Sequence, residues 1–408
     1  MRLYIDPGTG SMLFTLLIGI VGAVVFLFRN ILIKIKFLFS SGGKTTDSEC
    51  TPIVFFTDSK RYYSIFKPLC DEMELRGQKS TYFTASEDDP ILNEEYKYVT
   101  TEFIGSGNKA FAKMNLLNAD IVLSSTPGLD VYQWKRSYHV KWYVHVPHMV
   151  NDITTYRMFG IDYFDAIFVS GKYQEDQIRA LEKLRELRPK EIQLIGSPQL
   201  DALQKKVNSV DKIYNDIPVI TVAPSWGPSS IFNRYGGKII DVLLTTKYKI
   251  IIRPHPQSFL SEEKMLKSLM SKYPNSDRLE WDDSTDNFST LNRTDILISD
   301  FSGVIFDFVL VFDKPIIYAD ISFDKGPYDA WWLDEELWTF KILPELGMQL
   351  TPENLNNIDD IITQCINSEK FKNGRKKASE ETWSNKGNSI VSIADYLLMV
   401  KKRLDAEE

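Results

Sequence analysis

Short apolar segments alternate with amphipathic segments along most of this 408-residue chain, and this alternation constrains its fold more than any other feature. The clearest helix is predicted from Lys172 over "KYQEDQIRALEKLREL", because Ile178, Leu181 and Leu184 share one face. Strands that alternate with helices form mainly parallel sheets whose two faces are covered. The sequence therefore predicts an α/β fold.

The apolar segments fall into two series, which predicts two α/β units. The first series is "IVFFTDS", "STYFTAS", "DIVLSS", "KWYVHVPH", "DAIFVSG" and "IQLIGSP". The second is "PVITVAPS", "KIIIRPHP", "DILISD" and "PIIYAD". The segment from Lys205 to Pro218 is the predicted hinge between the two units.

An uncharged apolar run, Met12 to Phe28, lies near the amino terminus. As a helix it would be about 25 Å long, close to the thickness of a bilayer's hydrocarbon core. Lys34 and Lys36 interrupt the next apolar stretch, which suits a segment at the membrane interface. A cleaved signal peptide is the alternative, but Asp6 stands where a basic residue is expected. We predict a single-pass or interfacial anchor, and the basic residues after it place the bulk of the chain in the cytoplasm.

Composition argues against several kinds of function. The formal net charge of -7 disfavours a surface that binds nucleic acid. Cys50, Cys70 and Cys365 are far apart and form no CxxC pair, so neither a zinc site nor a disulfide framework is predicted. His145 and His148 have a spacing that can bind metal, but no third ligand accompanies them. We predict no metal and no cofactor.

Polar residues directly follow the predicted strands of the second series. Because ligands bind at the carboxyl ends of parallel strands, these residues are candidates for a binding site. Those singled out are Ser225, Arg253, His255, Asp300, Ser302 and Gly303. Ser302 and Gly303 open a predicted helix whose N-terminus can bind phosphate. Capping of that helix is an equally good interpretation of Asp300 and Ser302.

Four motifs together resemble the CDP-glycerol glycerophosphotransferase family of teichoic-acid polymerases and primases. They are "GSPQLDAL", "VAPSW", "RPHP" and "ISDFSGVIFDFVLVFDKPIIYAD", and their order and spacing also match. The resemblance covers roughly Val140 to Asp320. It implies a GT-B-like fold: two Rossmann-like domains with a cleft between them, here preceded by the N-terminal membrane helix.

The resemblance also implies a division of the chain. Residues 1–45 would be the membrane anchor and linker, and residues 46–207 the N-terminal, acceptor-binding domain. Residues 208–387 would be the C-terminal domain that binds the CDP donor. Residues 388–408 would form a helix that packs back on the first domain.

The activity implied is transfer of glycerol phosphate, or a related polyol phosphate, from a CDP-activated donor to a hydroxyl of a cell-surface polymer or lipid-linked precursor, with release of CMP. The enzyme would act at the cell membrane with its catalytic domain in the cytoplasm. His148 is the predicted base, with His145 as its rival, and His255 would act at the donor pyrophosphate. Arg253, Asp300, Ser302, Gly303 and Ser225 would bind the donor.

Two positions depart from the family's motifs. Gln199 and Gly227 stand where arginine is usual, and each change removes a cation that could pair with phosphate. Arg253, Arg234 or Lys238 could compensate. Two other functions therefore stay open: a nucleotide-sugar-dependent GT-B glycosyltransferase, and a non-catalytic membrane scaffold derived from such an enzyme.

Overall fold

The structure, a computed structural model, describes residues 50–284, 286–319 and 323–407. The predicted membrane anchor at residues 12–28 lies outside these ranges. Among the described helices, none combines the length and the apolar character that a bilayer crossing requires. The described residues form one compact unit built around two parallel sheets.

Seven strands form the first sheet, in the order β3-β2-β1-β4-β5-β6-β7, and every neighbouring pair is parallel. The strands are β1 (Thr51–Thr57), β2 (Ser80–Thr84), β3 (Val99–Phe103), β4 (Ala119–Ser124), β5 (Val140–His145), β6 (Ala166–Val169) and β7 (Glu191–Leu194). The α-helices of this part are α1 (Tyr63–Leu75), α2 (Asn108–Met114), α3 (Lys172–Arg185) and α4 (Pro198–Asn208). Short 3-10 turns lie at Lys60–Tyr62, Pro90–Asn93 and Ile153–Thr155.

Six strands form the second sheet, in the order β10-β9-β8-β11-β12-β13, again all parallel. The strands are β8 (Val219–Val222), β9 (Lys249–Ile252), β10 (Leu279–Trp281), β11 (Ile296–Ser299), β12 (Ile316–Ala319) and β13 (Gly347–Leu350). The helices are α5 (Ile231–Tyr235), α6 (Lys238–Thr245), α7 (Ser258–Ser261), α8 (Glu263–Lys272), α9 (Phe288–Arg293), α10 (Val304–Asp307), α11 (Trp338–Leu346), α12 (Ile358–Ile366), α13 (Glu369–Thr382) and α14 (Ser389–Ala406). A π-helical segment, Phe308–Phe312, continues α10, and 3-10 turns lie at Asp329–Trp332 and Leu355–Asn357.

Both faces of each sheet are buried, as the continuous apolar strands require. In β1, Ile53 and Phe55 pack into the core on one face, and Val54 and Phe56 pack into the core on the other. The carboxy-terminal helix α14 contributes to the first of these two cores and not to the core of the second sheet. The chain therefore returns to the first sheet at its end.

The order of the second sheet is that of the doubly wound nucleotide-binding fold, and the first sheet adds one strand to the same order. The predicted α/β class with parallel sheets is confirmed. All ten strands predicted from apolar segments are present. The three strands that the sequence did not reveal, β3, β10 and β13, lie at sheet edges, where strands are short and carry polar residues.

Helix α4 connects the two sheets, and its start is well specified by sequence. Ser197 accepts a hydrogen bond from the backbone N–H of Leu200, and Pro198 occupies the first turn, where its missing N–H costs nothing. Inside the helix, the Asp201 carboxylate accepts hydrogen bonds from Trp383 Nε1 (2.8 Å) and from the backbone N–H of Gly387 (2.8 Å). The motif "GSPQLD" thus ties the link between the sheets to the returning carboxy-terminal segment.

Candidate active site

A cavity of about 820 Å³ lies where the carboxyl ends of both sheets meet. Residues from the first sheet's loops, from helix α4 and from the second sheet's loops line it. They include Lys60, Arg61, Tyr62, His148, Gln199, Leu203, Lys206, Arg253, His255, Ser302, Gly303 and Asp307. Within the described ranges, no three His, Cys, Asp or Glu side chains group closely enough to hold a metal ion.

Five of the predicted site residues line this cavity and three do not. Those in its wall are His148, Arg253, His255, Ser302 and Gly303. His145, Ser225 and Asp300 are buried behind the wall. The structure therefore brings the two candidate histidines from opposite sheets, His148 and His255, to one space.

Tyr156 connects the two histidines of the first sheet. Its hydroxyl lies 3.2 Å from His145 Nε2 and 3.5 Å from His148 Nδ1. Both His145 and Tyr156 are buried, whereas His148 reaches the cavity and packs on the ring of Tyr62 with a centroid separation of 4.9 Å. His148 is therefore the member of the pair that a ligand can touch. His145 lies behind it and can act only through Tyr156.

Both histidines of this chain of hydrogen bonds are held neutral. Burial, with a smaller contribution from the neighbouring His148, lowers the pKa of His145 to about 3. Burial also lowers the pKa of His148 to about 4, with a contribution from the Arg61 guanidinium. Burial raises the pKa of Tyr156. All three groups are therefore neutral at physiological pH, and they interact with one another through hydrogen bonds rather than as ions.

Tyr328 and Asp329, from the second part of the chain, hold the loop that carries Tyr156. The backbone N–H of Asp329 donates to the carbonyl oxygen of Tyr156 (2.9 Å), and Arg157 and Tyr328 form an antiparallel bridge. The Asp329 carboxylate accepts from the N–H of Phe159 (2.8 Å) and pairs with Arg185 (2.5 Å). The loop that carries Tyr156 is thus fastened at both backbone and side chain.

His255 has a defined tautomer. Its Nδ1 accepts a hydrogen bond from the backbone N–H of Gln257 (3.1 Å), so in the neutral ring the proton is on Nε2. Burial lowers the pKa of His255, and Arg61 lowers it further. A neutral His255 with a proton on Nε2 is a hydrogen-bond donor toward the cavity that it lines.

Asp300 shapes the loops around the second sheet's carboxyl edge. Its carboxylate accepts from the backbone N–H groups of Ser225 (2.9 Å), Ile231 (3.2 Å), Phe301 (2.8 Å) and Ser302 (3.2 Å). With these four donors, Asp300 joins the loop after β8 to the loop after β11. Through the Ser302 N–H it also fixes the position of the loop that lines the cavity.

Arg61 is a cavity cation that was not predicted from the sequence. Arg253 also lines the cavity, but its guanidinium pairs with Asp282 and bonds Ser284. Among the described residues, the Arg61 guanidinium bonds to Ser59 (3.1 Å) and forms no ion pair with a carboxylate. Arg234 and Lys238, considered as replacements for the lost arginines, are not in the cavity wall. Arg61 follows β1 directly in "TDSKRYY", so the same strand-end rule applied to the first series would have found it.

Gln199, which stands at one of the two departures from the family's motifs, faces an acid. Its Nε2 donates to both carboxyl oxygens of Asp307, at 3.2 and 3.3 Å. Burial raises the pKa of Asp307 to about 7, and hydrogen bonds from Asn287 and Gln199 only partly offset this effect. Asp307 was not identified from the sequence, where it reads as part of an apolar helix.

Comparisons with known proteins agree with this architecture. The family model described as CDP-Glycerol:Poly(glycerophosphate) glycerophosphotransferase matches residues 52–331, about two thirds of the chain. This match confirms the resemblance seen in the four motifs. No curated protein sequence matches the chain.

Similar solved structures share the fold at low sequence identity. The wall teichoic acid polymerase TagF aligns with a TM-score of 0.56 and 18% identity, covering 93% of this chain and 97% of that chain. A putative UDP-N-acetylglucosamine 2-epimerase from Listeria monocytogenes aligns with a TM-score of 0.54 and 14% identity, covering 85% and 95%. The UDP-GlcNAc 2-epimerase of Methanocaldococcus jannaschii, in complex with UDP-GlcNAc and UDP, gives a TM-score of 0.51 at 14% identity, covering 85% and 99%.

The lowered pKa of His145 predicts a specific loss of stability in acid. The imidazole has its ordinary pKa of 6.5 in the unfolded chain and a pKa of about 3 in the folded chain. Below pH 6.5 the unfolded chain binds a proton that the folded chain does not, so the free energy of unfolding decreases as pH falls from 6.5 toward 3. In His145→Gln, we expect this decrease to be smaller by about 1 kcal/mol per pH unit.

The measurement is denaturant unfolding of both proteins between pH 7 and pH 4, comparing slopes rather than absolute stabilities. His139→Gln is the matched control, because it makes the same substitution at an exposed histidine. Equal slopes for wild type and His145→Gln would contradict a neutral, buried His145.

Proposed function

The chain belongs to the CDP-glycerol:poly(glycerophosphate) glycerophosphotransferase family and is a CDP-glycerol glycerophosphotransferase-like enzyme, and on this premise we propose its substrates and the roles of its residues. The donor is CDP-glycerol or a closely related CDP-polyol. The acceptor is a hydroxyl of a cell-surface polymer or of its lipid-linked precursor. CMP is the second product.

The observation that carries this proposal is the position of His148 and His255 in one cavity, on loops from different sheets. Transfer of a phosphoryl group needs a base for the attacking hydroxyl and a hydrogen-bond donor for the charge that develops on the leaving phosphate. A neutral imidazole on one wall and a neutral imidazole with a proton on Nε2 on the other meet these two needs.

In the proposed reaction, the acceptor oxygen forms a bond to the phosphorus that carries the polyol. The bond between this phosphorus and the bridging oxygen of the pyrophosphate breaks, and CMP leaves with that oxygen. The proton of the acceptor hydroxyl passes to His148. His255 donates a hydrogen bond from Nε2 to the leaving phosphate, and Arg61 offsets its negative charge.

The hydrogen bonds of Tyr156 favour His148 over His145 as the base. If Nδ1–H of His148 donates to the Tyr156 oxygen, the Tyr156 hydroxyl can donate to Nε2 of the neutral His145. This arrangement leaves Nε2 of His148 with a free lone pair in the cavity. His145 and Tyr156 are then positioning residues that fix the tautomer of the base.

Ser302 and Gly303 line the cavity beside His255 and are proposed to bind the donor's phosphates together with Arg253. Asp300 and Ser225 are proposed to support donor binding through the loops that they connect. The proposed acceptor and donor domains are residues 46–207 and 208–387, and residues 388–408 return to the first of these.

The donor is tested by incubating the purified full-length chain with CDP-glycerol, CDP-ribitol and a panel of UDP-sugars, with and without a lipid-linked acceptor. We expect nucleotide release, as CMP, from a CDP-polyol only. UDP release from a nucleotide sugar would contradict the proposal and indicate a glycosyltransferase. Absence of turnover with every donor and acceptor would favour a non-catalytic scaffold.

Replacement of His148 by asparagine should lower kcat by about 100- to 10,000-fold, because asparagine cannot accept the acceptor's proton. Tyr156→Phe should lower kcat by a smaller factor and leave KM for the donor unchanged. It removes only the hydroxyl group that fixes the tautomer of His148. His139→Asn, at an exposed histidine, is the control and should retain wild-type activity. Near-normal turnover in His148→Asn would show that His148 is not the base.

We also propose that the enzyme works at the cytoplasmic face of the cell membrane. The apolar run of residues 12–28 and the basic residues after it support this, since nucleotide-activated donors are cytoplasmic and polymer precursors grow on lipid carriers. Attachment to the membrane would raise the local concentration of a lipid-linked acceptor.

Protease added to sealed cells should leave the part of the chain after residue 50 intact, and the same protease should digest it once the cells are opened. Full-length protein should also sediment with membranes. Digestion in sealed cells would overturn the cytoplasmic placement, and recovery of the full-length chain in the soluble fraction would overturn the anchor.

A further inference from the structure

One wall of the cavity carries a buried carboxyl group with no cation beside it. Asp307, the last residue of α10, is 8% exposed and borders the cavity. No ion pair between described residues includes it, in contrast to Asp88 and Asp286 in the same cavity, which pair with lysines. The hydrogen-bond donors on the Asp307 carboxyl group are neutral amides, those of Gln199 and Asn287.

The identity of residue 199 decides what Asp307 can do. An arginine there would pair with both carboxyl oxygens and take up most of their hydrogen-bonding capacity. Gln199 reaches the same two oxygens at 3.2 and 3.3 Å with a single nitrogen. A carboxylate has about four acceptor positions, so Asp307 keeps positions for a ligand.

Gln199 and Asp307 lie within reach of the position proposed for the donor's phosphates. Asp307 is four residues after Gly303, so both residues share one side of the helical segment, about 6 Å apart along its axis. Both residues line the cavity. A short carbon chain attached to a phosphate beside Gly303 would reach Asp307 with its hydroxyl groups.

The surroundings suit a hydroxylated carbon chain better than a second phosphate. Leu200, Leu203 and Val304 border the cavity next to Gln199 and Asp307 and offer apolar contact to carbon atoms. An ionised Asp307 would repel a phosphate group. Arg61 and Lys60, in contrast, lie in the part of the wall that follows β1.

We propose that Asp307 and Gln199 form a subsite that binds a hydroxyl group of the polyol carried by the donor. The hydroxyl donates to a carboxyl oxygen of Asp307 and accepts from Nε2 of Gln199. This inference rests on the proposed function, because it assumes a CDP-polyol in the cavity. The raised pKa of Asp307 is compatible with it, since a carboxyl group that is partly protonated at neutral pH can also donate to a hydroxyl.

Two ligands that differ only in the hydroxyl groups test the subsite. They are CDP-glycerol and the CDP ester of 1-propanol, which has the same three carbons and no free hydroxyl. We expect the full-length wild-type protein to bind CDP-glycerol about 10- to 100-fold more tightly in titration calorimetry, as hydrogen bonds to a carboxylate imply. Asp307→Ala should abolish this preference and leave the affinity for the propanol ester unchanged.

Gln199→Arg provides a second variant that keeps Asp307 and does not open a cavity. The arginine should occupy the Asp307 carboxylate and reduce the preference for CDP-glycerol to the same extent. Glu263→Ala is the control, because it removes an exposed carboxylate of the second sheet's helices that does not line the cavity. Its preference should equal that of wild type.

The outcomes separate this inference from the proposed function. If wild type binds neither CDP ligand, the proposed donor itself is wrong. If wild type binds both ligands equally, or if Asp307→Ala weakens both by the same factor, the CDP donor stands and the polyol subsite is wrong. A change confined to acceptor kinetics would likewise assign Asp307 to the acceptor and overturn the inference.

Discussion

Buried carboxylates that accept hydrogen bonds from loop N–H groups hold the cavity together. Asp300 joins the loops after β8 and β11 through four backbone N–H groups. Asp152 caps helix α11 by accepting from the N–H groups of Trp338 (2.7 Å) and Thr339 (2.8 Å), which connects the loop after β5 to the second sheet's helices. Hydrogen bonds to a charged group contribute about 1.5–3 kcal/mol each, and leaving such a carboxylate unpaired would cost more. The relative position of His148 and His255 therefore depends on acids that do not line the cavity.

This dependence separates two kinds of residue that the sequence places side by side. In "SDFSG", Asp300 is fully buried under four backbone donors, whereas Ser302 and Gly303 reach the cavity. In "HVPH", His145 is buried and His148 reaches the cavity. A strand directs alternate side chains to opposite faces, and a loop that follows it can turn either way. Strand-end motifs thus point to the region of the cavity. Only the three-dimensional structure shows which of their residues line the cavity and which are buried behind it.

Most of the fold could be predicted because apolar strands between amphipathic helices leave one solution, a parallel sheet covered on both faces. The edge strands β3, β10 and β13 escaped prediction because an edge position does not require a continuous apolar segment. Within the site, the histidines were conspicuous because the chain has only 4 of them. Tyr156 had no such signal, because it lies 11 residues after His145 among other tyrosines and apolar residues. Its position is fixed in part by a distant residue, Asp329, whose N–H donates to its carbonyl oxygen. Asp307 was hidden for a related reason, since its neighbours in the sequence are buried apolar residues and its partner, Gln199, is distant in the chain.

The charges around the cavity would link ligand binding to the protonation of His148, the proposed base. Burial and the Arg61 guanidinium lower the pKa of His148 to about 4, so the histidine is neutral but a weak proton acceptor. A bound anion near Arg61 would offset that positive charge and raise the pKa of His148, because an opposite charge favours the protonated form. The base would then become strongest when an anionic donor is in place and the acceptor hydroxyl needs to lose its proton. On the opposite wall, Asp307 is the only carboxyl group of the described cavity lining that has no ion-pair partner. In its ionised form it disfavours a phosphate group beside it. A cation at one end and an acid at the other thus give the cavity a polarity that matches a ligand with phosphates at one end and hydroxyl groups at the other.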